Sequence, residues 1–155
     1  MKNVEIREIH ADEEIPYELL LDADPSRQMI NSYLPQSKIY LAILENRVIG
    51  TYVLQPVDNE IVELKNIAVA EEFQNKGVGT MMIRDAEKRM MVEGYTEMQV
   101  GTSNASIWQL YLYQKLGFEI HSIKHNFFID HYPGSLFENG IRVRHVIMLK
   151  KTLQP

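Results

Sequence analysis

The chain has 155 residues, 45% of them hydrophobic and 24% charged, the proportions of an ordinary soluble globular domain. It holds no cysteine, which excludes a disulfide framework, a thiolate zinc site, an iron–sulfur cluster and a cysteine nucleophile. Sixteen Lys and Arg against 21 Asp and Glu leave a net charge of -5, a poor balance for non-specific binding to nucleic acid or to an anionic membrane. No apolar run approaches the roughly 20 residues of a membrane span. The opening MKNVEIREIH lacks the long apolar stretch of a secretory signal. The expectation is a cytoplasmic protein with a single domain over residues 1–155.

Residues 4–9 alternate apolar and polar side chains and predict a strand, with Ile9 breaking the period. Residues 12–24 predict a helix with Pro16 in its first turn. Pro25 interrupts it, Ser26 caps a second short helix to about residue 34, and Pro35 ends that piece. Residues 38–44, 48–57 and 61–69 are β-rich, with turns at 45–47 and 58–60, and predict an antiparallel meander. Residues 77–93 then place Val78, Met81, Met82, Ala86 and Met90 on one stripe and Arg84, Asp85, Lys88 and Arg89 elsewhere. That is an amphipathic helix, stopped by Gly94. Residues 96–100 predict a short strand. Ser103 or Asn104 can cap a helix running to Leu116, stopped by Gly117. Residues 118–129 and 141–149 predict two final strands, with His131, Tyr132, Pro133 and Gly134 opening the loop between them. Meander plus βαβ segments define a mixed α/β (α+β) fold around one central sheet.

The most informative stretch lies between Asn66 and Thr80. An apolar strand ends at Val69, a polar loop follows, and Gly77 and Gly79 open a long helix. The first N–H groups of a helix have no internal partners, and its dipole adds partial positive charge there. The glycines remove side chains that would keep a ligand off the backbone. The pattern suits an anion site of the kind that holds a pyrophosphate, and equally a loop that needs glycine only for its turn. It is neither a P-loop nor a G-x-G-x-x-G fingerprint, since Met82 stands where the third glycine would be.

Gln74-x-x-Gly77-x-Gly79 after Ile67-Ala68-Val69 resembles the acetyl-CoA-binding motif of the GNAT superfamily of N-acetyltransferases. Downstream, Asn104 and then Leu112-Tyr113-Gln114-Lys115-Leu116-Gly117-Phe118 resemble that superfamily's Asn…Tyr-x-Lys-x-Gly-Phe segment, with Asn104 set somewhat further from Tyr113 than in many members. The resemblance spans residues 63–119. It implies a central, mixed, mostly antiparallel sheet of about seven strands flanked by about four helices. It also implies a splay between the strands near 61–69 and 96–100.

The resemblance further implies that the backbone of Ile67, Ala68 and Val69 pairs with the pantetheine arm of acetyl-CoA, the co-substrate. The pyrophosphate would rest on N–H groups of Gln74, Asn75, Lys76, Gly77, Val78, Gly79 and Thr80, with Asn104 a further cofactor contact. Lys76 either adds charge near a phosphate or is a solvated surface lysine. Tyr113 matches the general acid that protonates the departing thiolate, with Tyr111 as the alternative. Glu63 is the candidate base, and the N–H of Val69 a candidate donor to the thioester carbonyl. A lysine-like amine of pKa about 10.4 costs roughly 4.6 kcal/mol to deprotonate at pH 7, so a base is useful. Transfer would be direct, in a ternary complex, because no cysteine can carry the acetyl group.

Other signals are weaker. His121 and His125 have no companions for a metal site, and no metal is expected. His131 and Tyr132 are candidate acceptor contacts. Asp12, Glu13, Glu14, Asp22 and Asp24 make the N-terminal helices acidic, which suits a cationic amine acceptor as well as it suits a solvated face. Met81, Met82, Met90 and Met91 read as core packing. The leading expectation is an acetyl-CoA-dependent N-acetyltransferase acting on a primary amine. Competing readings are a non-catalytic acyl-CoA-sensing module and a nucleotide-binding domain of another type. Edge strands of such a domain can pair between protomers, so a homodimer is compatible with the sequence.

Overall fold

Residues 38–69 fold into three antiparallel strands, the first two buried over most of their length and the third alternating buried and half-buried residues. A computed structural model of the chain describes residues 3–154; Met1, Lys2 and Pro155, the ends of the expected domain, lie outside the described residues. In chain order the elements begin with β1 (Glu5–Glu8), α1 (Tyr17–Ala23) and α2 (Arg27–Tyr33), followed by a 3₁₀ turn at Leu34–Gln36. Next come β2 (Lys38–Leu44), β3 (Arg47–Pro56), β4 (Ile61–Val69), a 3₁₀ turn at Glu71–Phe73 and α3 (Val78–Val92). The chain ends with β5 (Glu97–Ser103), α4 (Ile107–Lys115), β6 (Glu119–Lys124), α5 (Phe127–His131), β7 (Phe137–Glu138), β8 (Ile141–Arg142) and β9 (Val146–Thr152).

Seven strands form one sheet in the order β1-β2-β3-β4-β5-β9-β6, and β7 pairs with β8 in a separate hairpin. Among the described residues only β4 and β5 pair in parallel. The β2–β3 turn places Glu45 and Asn46 at positive φ, the geometry a two-residue hairpin favours. One face of the sheet carries α3 and α4 over Tyr52, Leu54, Val62, Leu64, Met98 and Leu149. The other carries α1 and α2 over Ile39, Leu41 and Val53, with Leu20, Ile30 and Tyr33 inserted from the helices. The methionines on α3 divide as its helical period dictates, with Met82 and Met90 buried and Met81 and Met91 on its shoulders.

Four local features depart from the sequence expectation. α1 starts at Tyr17 rather than near residue 12, because the Glu13 carboxylate accepts two bonds from the Arg7 guanidinium and one from the His10 N–H and fixes a turn there. β5 runs on through Ser103, so neither Ser103 nor Asn104 caps α4, whose N-cap is Ser106. Residues 118–129 are not one strand: β6 ends at Lys124, Asn126 turns left-handed, and α5 follows. Residues 141–149 divide between β8 and β9. Ser26 does cap α2, its hydroxyl accepting from the Met29 N–H.

Candidate active site

The site starts from a break in the sheet. β4 and β5 pair from Ile61 opposite Glu97 to Leu64 opposite Val100, and there the ladder stops, although β4 continues to Val69 and β5 to Ser103. Past that point β4 stays paired with β3, and β5 with β9, so each strand turns one edge of backbone groups into an open gap. An unpaired amide edge in a sheet interior needs a partner. Ile67, Ala68 and Val69 lie along it, where the sequence places the pantetheine contacts.

A bulge sits at the start of the gap. Asn66 opposes Val53 and Leu64 opposes Leu54, so Lys65 is an extra residue. Val62 and Leu64 pack on the α3/α4 face, and beyond the bulge Ile67 and Val69 do the same. Glu63, Lys65 and Asn66 therefore all serve the α1/α2 face. The Lys65 ammonium lies 3.3 Å from the Glu63 carboxylate and 5.2 Å from the centre of the Tyr33 ring.

Beyond Val69, the Gln74 amide donates to the Val69 carbonyl at 3.0 Å and pins the loop to the end of β4. Asn75 and Gly77 both take positive φ, 61° and 84°, a double left-handed turn that leads into α3. The Gln74 N–H is used by the Glu71 carbonyl, and helical bonding begins with Met81 donating to Gly77. Among the described residues no acceptor meets the N–H groups of residues 75–80. A Cβ on Gly77 would meet nothing within 4 Å, so glycine there serves the backbone angle. The Lys76 ammonium sits 5.8 Å over the Phe73 ring.

Tyr113 is 4% exposed on the inner face of α4, edge-on to Phe118 with ring centres 5.8 Å apart. Its hydroxyl makes no hydrogen bond within the described residues, and burial pushes its pKa up to about 12. Tyr111, the alternative, is 56% exposed and packs against Trp108 outside the core. Tyr113 thus stands on the α3/α4 face and Glu63 on the α1/α2 face. Glu63 lies opposite Gln99, one residue before the ladder between β4 and β5 ends at Leu64.

Asn104 is engaged elsewhere. Its amide nitrogen donates to the Arg142 carbonyl, and its oxygen accepts from the N–H groups of Arg144 and His145, so it fastens the β8–β9 connection to the end of β5. The acidic helices are also partly committed. The Asp24 carboxylate accepts from the Tyr132 hydroxyl at 2.7 Å, from the Ser26 N–H and from the Tyr33 hydroxyl. With Glu13 held by Arg7, the remaining acids, Asp12, Glu14 and Asp22, stand exposed. His131 is exposed and stacks near Phe127, whereas Tyr132 is buried. His121 and His125 stand apart from any metal-binding cluster among the described residues.

Sequence reasoning missed Asn66. Its amide donates to the Leu20 carbonyl and to the Tyr33 hydroxyl, linking β4 to α1, α2 and, through Asp24, to Tyr132. Its Oδ1 is the buried side-chain atom that lacks a partner among the described residues. A lone asparagine in an alternating strand carries no sequence signal for such a role.

Comparison with known proteins identifies the family to which this fold belongs. Residues 4–118 match the model of the acetyltransferase (GNAT) family. An uncharacterized N-acetyltransferase of Bacillus subtilis, YvbK, is 43% identical over 133 residues, 86% of each chain. A GNAT family acetyltransferase from Elizabethkingia anophelis, solved with acetyl-CoA bound, superposes with a TM-score of 0.97 at 46% identity, covering 99% of this chain and 100% of that one. An IAA acetyltransferase from Bacillus cereus superposes with a TM-score of 0.92 at 43% identity, covering 97% and 99%. The fold and the site define an acyltransferase of the mixed α/β class. The chain belongs to the GNAT family of N-acetyltransferases.

Proposed function

We propose that residues 1–155 act as one acetyltransferase domain, which moves the acetyl group of acetyl-CoA directly onto a primary amine in a ternary complex. The observation that carries this reading is the gap past Leu64 and Val100, with unpaired backbone along β4, unpaired N–H groups at the start of α3, and an unbonded tyrosine hydroxyl on α4. The backbone of Ile67, Ala68 and Val69 pairs with the amides of pantetheine. The N–H groups of residues 75–80 take the pyrophosphate, helped by the α3 dipole. Gln74 serves through its side chain, which holds the loop. The remaining Nδ2 hydrogen of Asn104 is that residue's free group toward the cofactor.

The step balances as follows. The amine lone pair attacks the thioester carbonyl carbon, a C–N bond forms, and the C–S bond breaks. The amine proton leaves to Glu63, directly or through water, and the departing sulfur takes its proton from Tyr113. Glu63 then gives its proton to solvent and solvent returns one to Tyr113, so both groups are reset and the net products are an N-acetyl amide and the free thiol. Tyr113 keeps its proton at neutral pH, as a donor must. The acceptor reaches the gap from the α1/α2 face, where exposed Asp12, Glu14 and Asp22 favour a cationic amine.

Calorimetric titration with acetyl-CoA, with desulfo-CoA, ATP and NAD as controls, tests the first half. Binding of the CoA compounds but not of ATP or NAD is expected. A thiol-release assay over a panel of amines tests the second half. Tight acetyl-CoA binding with no thiol release from any amine would favour a sensing module, and absence of binding would remove the whole reading.

A further inference from the structure

β6 is an outer edge of the main sheet, with β9 as its neighbour and all of its residues exposed. Its ladder carries a bulge, since Ile120 opposes Leu149 and Ser122 opposes Met148, leaving His121 without a partner. Residues opposite one another in an antiparallel ladder share a face and a direction of backbone N–H and C=O. Ile120 and Ile123 oppose Leu149 and Ile147, which alternate regularly along β9. They therefore share one face and one backbone direction. Glu119, Ser122 and Lys124, opposite Lys150, Met148 and Val146, share the other. A regular strand cannot arrange this, because positions three apart in it point opposite ways.

The bulge makes the strand complementary to itself. When two copies meet antiparallel about a two-fold axis between His121 and Ser122, Ile120 faces Ile123 of the second copy and Glu119 faces Lys124 of the second copy. Each pairing matches in face and in hydrogen-bond direction, and each occurs twice. The apolar pairs lie on the face shared with α4, where Trp108 is 72% and Tyr111 56% exposed. We infer that β6 is the contact through which two copies of this chain join edge to edge, with Glu119–Lys124 ion pairs closing both ends of a shared ladder. The β4–β5 gap lies on the far side of β5 and β9, so the contact leaves it open.

Sedimentation equilibrium of the full chain from about 1 to 100 µM tests this. Wild type is expected to reach the mass of two chains within that range. Glu119→Lys, which sets lysine against lysine twice, should raise the dimer dissociation constant about tenfold or more, and Lys124→Glu should do likewise. The double variant E119K/K124E restores both pairs and should return to within about threefold of wild type. Circular dichroism and acetyl-CoA titration of each variant show whether the fold is intact. A monomer at every concentration overturns the inference. So does a dimer indifferent to single reversal, or one that the double reversal fails to restore.

Discussion

Tyr113 is the residue at which chemistry can be separated from structure. Its hydroxyl has no partner within the described residues, so Tyr113→Phe breaks no intramolecular bond and leaves the packing against Phe118 in place. Turnover in that variant should fall about 10²-fold or more, the range of lost general acid catalysis, while the calorimetric affinity for acetyl-CoA stays as it was. Unchanged turnover would remove the tyrosine from the reaction. The sequence offers Tyr113 and Glu63 as candidates because each sits at a fixed distance from Gly117 or from the strand before the glycine loop. The opposite faces on which they stand were not legible, since the face of Glu63 follows from which residues of β3 its strand opposes. Asn66 was hidden for the same reason. Asn104 was recognised as a motif residue, yet the main-chain groups that hold it, at Arg142, Arg144 and His145, lie far along the chain.

Among the elements, the loop between β4 and α3 depends on one backbone angle. Gly77 holds φ at 84° with open space around its missing side chain. Gly77→Val sets a β-branched residue in the left-handed region, a strain of about 1–3 kcal/mol that the loop relieves by turning its N–H groups away. Acetyl-CoA affinity should fall about tenfold or more, whereas Gly77→Asn, which tolerates that region, should stay within about threefold of wild type; titration of both variants distinguishes backbone geometry from lost space. β2 and β3 are readable because they are unbroken β-rich apolar runs between turn residues, and β4 and α3 because their apolar period runs uninterrupted. α5 was not, because Phe127, Phe128 and Ile129 continue a β-rich pattern, and what ends the strand is the left-handed turn at Asn126. β7 and β8 are two-residue strands, too short for any period to show.

Among the described residues, burial keeps five phenols protonated. It raises the pKa values of Tyr33, Tyr40, Tyr52, Tyr113 and Tyr132, with Asp85 beside Tyr52 and Asp24 beside Tyr132 adding to the effect. A folded value above the unfolded one, near 10, stabilises the fold fully below about pH 10, and that stability drains away as pH climbs through the folded value. For Tyr113 the window is about 10 to 12. Denaturant midpoints taken from pH 8 upward should therefore fall more steeply for wild type than for Tyr113→Phe, the gap reaching roughly 1 kcal/mol near pH 11. Parallel curves would mean that the phenol is not buried as described. The bulge at Lys65 sets the character of the molecule in a different way. Leu64 and Asn66 already oppose adjacent residues of β3, so a chain lacking Lys65 would keep every other side chain of β4 on its present face. Its ladder would simply run true. A strand with no bend to carry it away from β5 could zip on past Leu64 and Val100, healing the sheet along its length. The better-formed sheet would be the one without the opening, and the gap past Leu64 depends on a flaw that a single deletion would mend.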